Sequence, residues 1–161
     1  LVKIKIMETN LLENAKSKAI RLLSYRSRSE YELRSRLEKS GYKVDIIEQV
    51  IDFLKEYNYI NDQNFAEQWI HDRMVLKPMG RIRLKWELQQ KGIAQEIIMR
   101  VLDNIDEGKE YNTALNLVKK KYIDKNKTYS MRQIVAFLQR RGFSSSVILS
   151  VCNYIDNMGS V

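Results

Sequence analysis

Three short stretches of the chain follow one pattern: LEKSGY at 37–42, LQQKGI at 88–93 and LQRRGF at 138–143. Their glycines, Gly41, Gly92 and Gly142, lie 51 and 50 residues apart. The apolar positions around them coincide. Leu37, Leu88 and Leu138 stand four residues before the glycine, and Leu33, Leu84 and Ile134 eight before. Ile47, Ile98 and Ile148 stand six after, and Val50, Val101 and Val151 nine after. A repeat of this period constrains the architecture more than any other feature, because each unit must bury the same faces.

Spacings of four and eight before each glycine are helical. A glycine just past a helix end adopts the left-handed conformation that other residues avoid, and the apolar residue after it packs back on the last turn. The pairs would be Leu37 with Tyr42, Leu88 with Ile93 and Leu138 with Phe143. The motif reads as a helix stop, not a phosphate loop; neither GxxxxGK[ST] nor GxGxxG occurs in the chain. An earlier apolar helix in each unit, around Ala19, Ala66 and Ala114, gives three helices per unit. Ser29 with Glu32 and Ser130 with Gln133 have capping-box spacing, and Ser144 suits a cap. The expected fold is all-α: three tandem three-helix, helix-turn-helix-like modules in an elongated, curved array. The expected division is an N-terminal arm over 1–14, then modules over 15–60, 61–107 and 108–161.

The single cysteine, Cys152, cannot form an internal disulfide, which fits a reducing, cytoplasmic setting. With one histidine, His71, no Cys/His metal cluster can be assembled, and neither a metal nor a cofactor is expected. No apolar run approaches the roughly 18 residues of a membrane span. The first residue is Leu1, not methionine, which leaves an upstream segment open. Catalysis finds little support, and no enzymatic activity is expected. Asp45, Glu48 and Asp52 read as surface charges offset by Lys55 and other cations. Cys152 falls at a core position, and Trp69 and Trp86 read as packing residues. A monomer is expected.

The net charge is +8, with +3 over residues 15–60, zero over 61–109 and +5 over 110–161. Such a balance favours a polyanionic partner. The candidate contacts fall in clusters. The first is RSRSEYELRSR, with Arg26, Arg28, Arg34 and Arg36; the second is RIRLK, with Arg81, Arg83 and Lys85, flanked by Arg73 and Lys91. The third is KKKYIDKNK, with Lys119, Lys120, Lys121, Lys125 and Lys127, followed by Arg132, Arg140 and Arg141. Rows of cations on helices can follow phosphates without reading bases.

Three segments carry a resemblance to a known family: LLSYRSRSEYEL at 22–33, YNYINDQNFAEQWIHDR at 57–73 and GRIRLKWELQQKGI at 80–93. They resemble the bacterial RecX regulatory proteins, over nearly the whole chain from about residue 15. The family's Gly-Pro before the middle helix is replaced here by PMG at 78–80. The resemblance implies tandem three-helix modules. It also implies a protein that lies in the groove of the RecA recombinase filament and restrains its ATP hydrolysis and DNA strand exchange, in recombination, repair and SOS control. The residues alone give less: an elongated, basic, helical protein that meets a polyanion. Weak, non-specific contact with single- or double-stranded DNA is expected. The alternative is a helical-repeat protein that binds DNA directly, without RecA. A compact chain of this length would have a radius of gyration of about 15 Å. Solution scattering is expected to give a clearly larger value; one near 15 Å would exclude the extended array.

Overall fold

The structure is a computed structural model and describes residues 2–125 and 128–159, the side chains of 2–8, 107 and 159 excepted. Among these residues there are nine α-helices, one π-helical segment and no strand. The first three helices are α1 (Val2–Tyr25), α2 (Glu30–Glu38) and α3 (Val44–Glu56). The next three are α4 (Asp62–Leu76), α5 (Arg81–Gln90) and α6 (Gln95–Asp103). The last are α7 (Glu107–Val118), α8 (Met131–Arg140) and α9 (Ser145–Gly159), with the π-helical turn Lys119–Ile123 continuing α7. Residues 2–14 form the first part of α1.

Each group of three helices buries its own core. One centres on Leu33, Leu37, Ile47 and Leu54, a second on Leu84, Leu88, Ile98 and Val101, and a third on Ile134, Leu138, Val151 and Ile155. Small residues at the first-helix crossings, Ala15, Ala66 and Ala114, are fully buried and allow close approach. The accessible surface is 10674 Å², against about 8,400 Å² for a compact monomer of this mass. Three cores in a row account for the excess.

The three glycines sit at φ +85°, +70° and +75°. Behind them the Tyr42, Ile93 and Phe143 amides donate to the Leu37, Leu88 and Leu138 carbonyls at 3.1–3.3 Å, the six-to-one bond of a Schellman stop. Ser130 closes a full capping box with Gln133. Ser29 accepts from the Glu32 amide, but the Glu32 side chain turns away to other partners. Ser144 Oγ accepts from Val147, while Lys43 and Ala94 make no side-chain cap bond.

The same glycines also join the modules. A Cβ on Gly92 would lie 2.4 Å from Tyr31 Cβ at the start of α2, and a Cβ on Gly142 would lie 2.4 Å from the Arg83 backbone nitrogen. The residue before each glycine supplies a carbonyl: Ser29 Oγ donates to Lys91 at 2.6 Å, and the Gly80 amide donates to Arg141 at 2.9 Å. A first-helix carboxylate completes each joint. Asp62 accepts from the Glu30 amide at 2.9 Å, and Glu110 accepts from the Arg81 amide at 3.0 Å. Middle-helix N-terminal N–H groups have no partner within their own helix, and here the next module provides one.

This double duty separates the glycines by their tolerance of substitution. Gly41→Ala is expected to lose about 1 kcal/mol, the cost of a left-handed alanine, since nothing lies within 4 Å of its Cβ position. Gly92→Ala and Gly142→Ala are expected to lose clearly more, Gly142→Ala most, because its neighbour there is backbone. Urea melts of the three variants check the order; equal losses would show that the close approach carries no weight.

Candidate polyanion-binding strip

The middle helices carry a charged or aromatic residue five positions before each glycine: Arg36 on α2, Glu87 on α5 and Phe137 on α8. These are equivalent positions of the repeat; cations lie against Glu87 and Phe137, and Arg36 is itself an exposed cation.

In the centre, Glu87 is only 8 % exposed. Its two oxygens accept from Arg73 Nε at 2.7 Å, Trp69 Nε1 at 3.0 Å and Arg83 Nε at 3.2 Å. Burial alone would push this carboxyl up, but Arg73, Trp69 and Arg83 hold it below the usual range. The Arg73 guanidinium also lies 4.6 Å from the Trp69 ring centre, and Lys91 Nζ lies 4.8 Å from the same ring. Both distances suit a cation over an aromatic face.

Lys91 carries the strip into the first module. Its Nζ lies 2.6 Å from Glu32 Oε1, and Arg26 grips both Glu32 oxygens at 3.0 Å. Burial opposes the charge on Glu32, yet Arg26 and Lys91 outweigh it and hold the pKa at about 2. Arg28, beside them, is lowered by burial and by the fields of Arg26 and Arg36.

In the third module the anchor is an aromatic ring. Lys121 Nζ lies 3.9 Å from the Phe137 ring centre, and the Arg141 guanidinium 5.1 Å. Arg141 also donates to the Pro78 carbonyl at 2.9 Å, across the joint between modules. The π-helical turn sets the lysines. Its Asp124 amide reaches back to the Lys119 carbonyl at 2.9 Å, and Tyr122 is buried within it. Lys119 then lies 4.9 Å from the Tyr154 ring centre.

The outcome is two runs of contacts, Arg26 through Glu32, Lys91, Trp69, Arg73 and Glu87 to Arg83, and Arg141 through Phe137 to Lys121, which adjoin at the backbone joint where the Gly142 turn receives the start of α5. Together they hold six cations against two carboxylates. Ring faces and carboxylates fix these side chains, so a polyanion would meet cations already in place.

The other expected contacts are sorted by the same geometry. Arg34 pairs with Glu30 and Glu48 on the other side of α2, and Arg81 reaches Asp103 at 3.4 Å. Glu48 pairs directly with Arg34, one of the other cations, while Lys55 pairs with Glu30 at 2.5 Å and reaches Glu48 only through its field. Arg28 donates to the Leu22 carbonyl. Arg36, Lys85, Lys120, Lys125, Arg132 and Arg140 are exposed. Lys127 lies outside the described residues. The lysine run is split: Lys119 and Lys121 lie over rings and Lys120 faces solvent.

One packing expectation needs correction. Trp86 is 48 % exposed, with the Arg83 guanidinium 4.4 Å from its ring centre. Cys152 packs against the third module's core but is only half-buried, at its edge. Glu32, Glu87, Trp69 and Phe137 were not singled out as site residues. The aligned position five before each glycine marks Glu87 and Phe137, since the strict apolar pattern breaks there. His71 is exposed, and among the described residues no cluster of His, Cys, Asp and Glu could hold a metal. No described helix is long and apolar enough to cross a membrane.

The comparisons decide the family. Residues 15–54 match the model for "RecX, first three-helix domain", and residues 61–102 match "RecX, second three-helix domain". This chain belongs to the RecX family. The "Regulatory protein RecX" of Clostridium perfringens strain 13 is 35% identical over 158 residues, covering 95% of this chain and 74% of that protein. The "Regulatory protein RecX" of Mycolicibacterium smegmatis is 35% identical over 146 residues, covering 86% and 78%. The fold matches the crystal structure of RecX from Lactobacillus salivarius with a TM-score of 0.83 at 24% identity, over 92% of this chain and 98% of that one. The relatives' name supports a regulatory role.

The Glu32 contacts predict a pH effect. Its folded pKa lies below the ordinary 4.5, so it contributes stability that is present above pH 4.5 and lost as pH falls towards about 2. Glu32→Gln is expected to lower stability at pH 7 and to remove this component of the acid loss. Urea melts between pH 7 and 2 check it; parallel curves for both proteins would show that Arg26 and Lys91 do not stabilise the charge.

Proposed function

We infer that this protein regulates a RecA-type recombinase by lying along its DNA-bound filament and restraining ATP hydrolysis and strand exchange. The observation that supports this reading best is that all three modules contribute ring- and carboxylate-anchored cations, Arg26 in the first, Arg73, Arg83 and Lys91 in the second, Lys121 and Arg141 in the third. A polymer partner presents repeating sites, and a row of fixed cations meets several of them at once. Each contact is weak alone, but linkage raises the effective concentration of the next. Family membership adds the regulatory role and agrees with the resemblance read from the sequence.

Direct binding to DNA is the second reading. Exposed Arg36 and Lys120, and the half-exposed Trp86, are groups that suit a nucleic-acid strand. One experiment separates the two. ATP turnover by RecA filaments on single-stranded DNA is titrated with the protein, and its shift of free DNA is measured in parallel. Turnover is expected to fall at concentrations that leave free DNA unshifted. Lys91→Ala with Lys121→Ala, which removes one fixed cation from each of two modules, should weaken the effect about tenfold, with circular dichroism as the folding check. Loss of turnover only where free DNA is also shifted would favour direct binding.

A further inference from the structure

Two of the three repeat glycines receive the start of a middle helix, and the third does not. Gly92 receives α2 and Gly142 receives α5. Gly41 has the same left-handed conformation and the same Schellman bond from Tyr42 to Leu37. Yet nothing lies within 4 Å of its Cβ position. The Lys91, Arg141 and Gly142 carbonyls are each taken by the preceding module. Among the described residues, the equivalent carbonyls of Ser40 and Gly41 accept no hydrogen bond. The first module therefore carries an unfilled copy of the surface that joins the modules.

The complementary half lies at the other end. The start of α8, at Ser130, is the one middle-helix start not seated on a repeat glycine. It stands twelve residues before Gly142, as Ser29 stands twelve before Gly41 and Gly80 twelve before Gly92. Ser130 matches Ser29 in chemistry. Both hydroxyl oxygens accept the amide three residues on, and the Ser29 hydroxyl also donates to the Lys91 carbonyl.

We propose that copies of this chain associate head to tail, the start of α8 in one copy seating on the Gly41 turn of the next. The occupant follows from continuity: the two internal joints are established, and one chain carries both halves of a third. Side chains at the outer joint agree. Where Asp62 meets the start of α2, the residue 51 positions earlier is Leu11, which is 42 % exposed. Where α2 has Glu30, α8 has Met131. The side chains that would meet there are thus apolar, and the Met131 amide has no carboxylate opposite it and stays open to water. The register has some latitude, since Gly92 faces Tyr31 and Gly142 faces Arg83, one position further along. The Ser130 amide, held by the Gln133 side chain at 2.9 Å, is not needed for the contact that Ser29 makes.

Such a contact is heterologous, so it does not stop at a dimer but continues copy by copy. The net charge of +8 on each copy opposes it. The expected monomer is then the dilute state, and chains of copies form when the protein is concentrated, as on a polymer scaffold. The proposal does not rest on the recombinase reading and is tested on the free, full-length chain.

The internal joint supplies the test. Lys91 and Glu32 pair across it, and the equivalent residues at the outer joint are Ser40 and Gln133, both exposed. Ser40→Lys with Gln133→Glu would place the same ion pair between copies. Sedimentation velocity over a rising concentration series is run on the wild type, this double variant and Ser40→Lys with Gln133→Lys, with circular dichroism as the folding check. The wild type is expected to associate weakly into species beyond a dimer. The opposite-charge variant should associate about fivefold more tightly, and the like-charge variant should remain a monomer. Monomers throughout, a limit at the dimer, or equal association by both variants would overturn the proposal.

Discussion

The structure depends on a peptide unit that turns left-handed at the end of each middle helix. Glycine at that point ends the helix without steric cost, and its missing Cβ leaves the backbone bare. Another helix can then approach to backbone contact. The Ser29 hydroxyl and the Gly80 amide reach carbonyls beside these glycines. With any larger residue at Gly142, the Arg83 backbone would have to move. One residue type thus sets helix length and module spacing together.

What the sequence showed and what it hid divide along the range of the interactions. The helix stops were legible because the glycine, the leucine four before it and the apolar residue after it lie within one turn. The caps at Ser130 and Ser144 were legible for the same reason. The joints were not. Ser29 could be read as a cap for α2, but nothing local tells that its hydroxyl also serves Lys91, 62 residues away. The sign of the strip could be read from composition, but its membership could not. Arg34 and Arg36 look equivalent in sequence, yet two residues on a helix point to nearly opposite sides. Arg34 is spent on Glu30 and Glu48, and Arg36 remains exposed. The different surroundings of Lys119, Lys120 and Lys121 could not be read, because a π-helical turn is not encoded by periodicity.

Aromatic rings and carboxylates play one part in the strip by different physics. Glu87 holds its arginines by charge and hydrogen bonds, while Phe137 holds Lys121 and Arg141 through the ring face. A carboxylate partner subtracts from the local field and a ring does not. The third module, with an excess of +5 over 110–161, therefore keeps more of its cationic field than the second.

The separate cores have a mechanical consequence. The modules meet through carbonyls, amides and ion pairs and through the close approach of Tyr31 to Gly92 and of Gly80 and Arg83 to Gly142, and the three cores stay separate. Parting the modules would leave each core closed. The chain is thus stiff within a module and compliant between modules, like a jointed rod. Force or heat would be taken up first at Ser29–Lys91 and Gly80–Arg141, with the helices still intact. A rod with such joints can follow a curved track whose pitch changes, bending where its hydrogen bonds are exchangeable and keeping its spacing where leucine is buried.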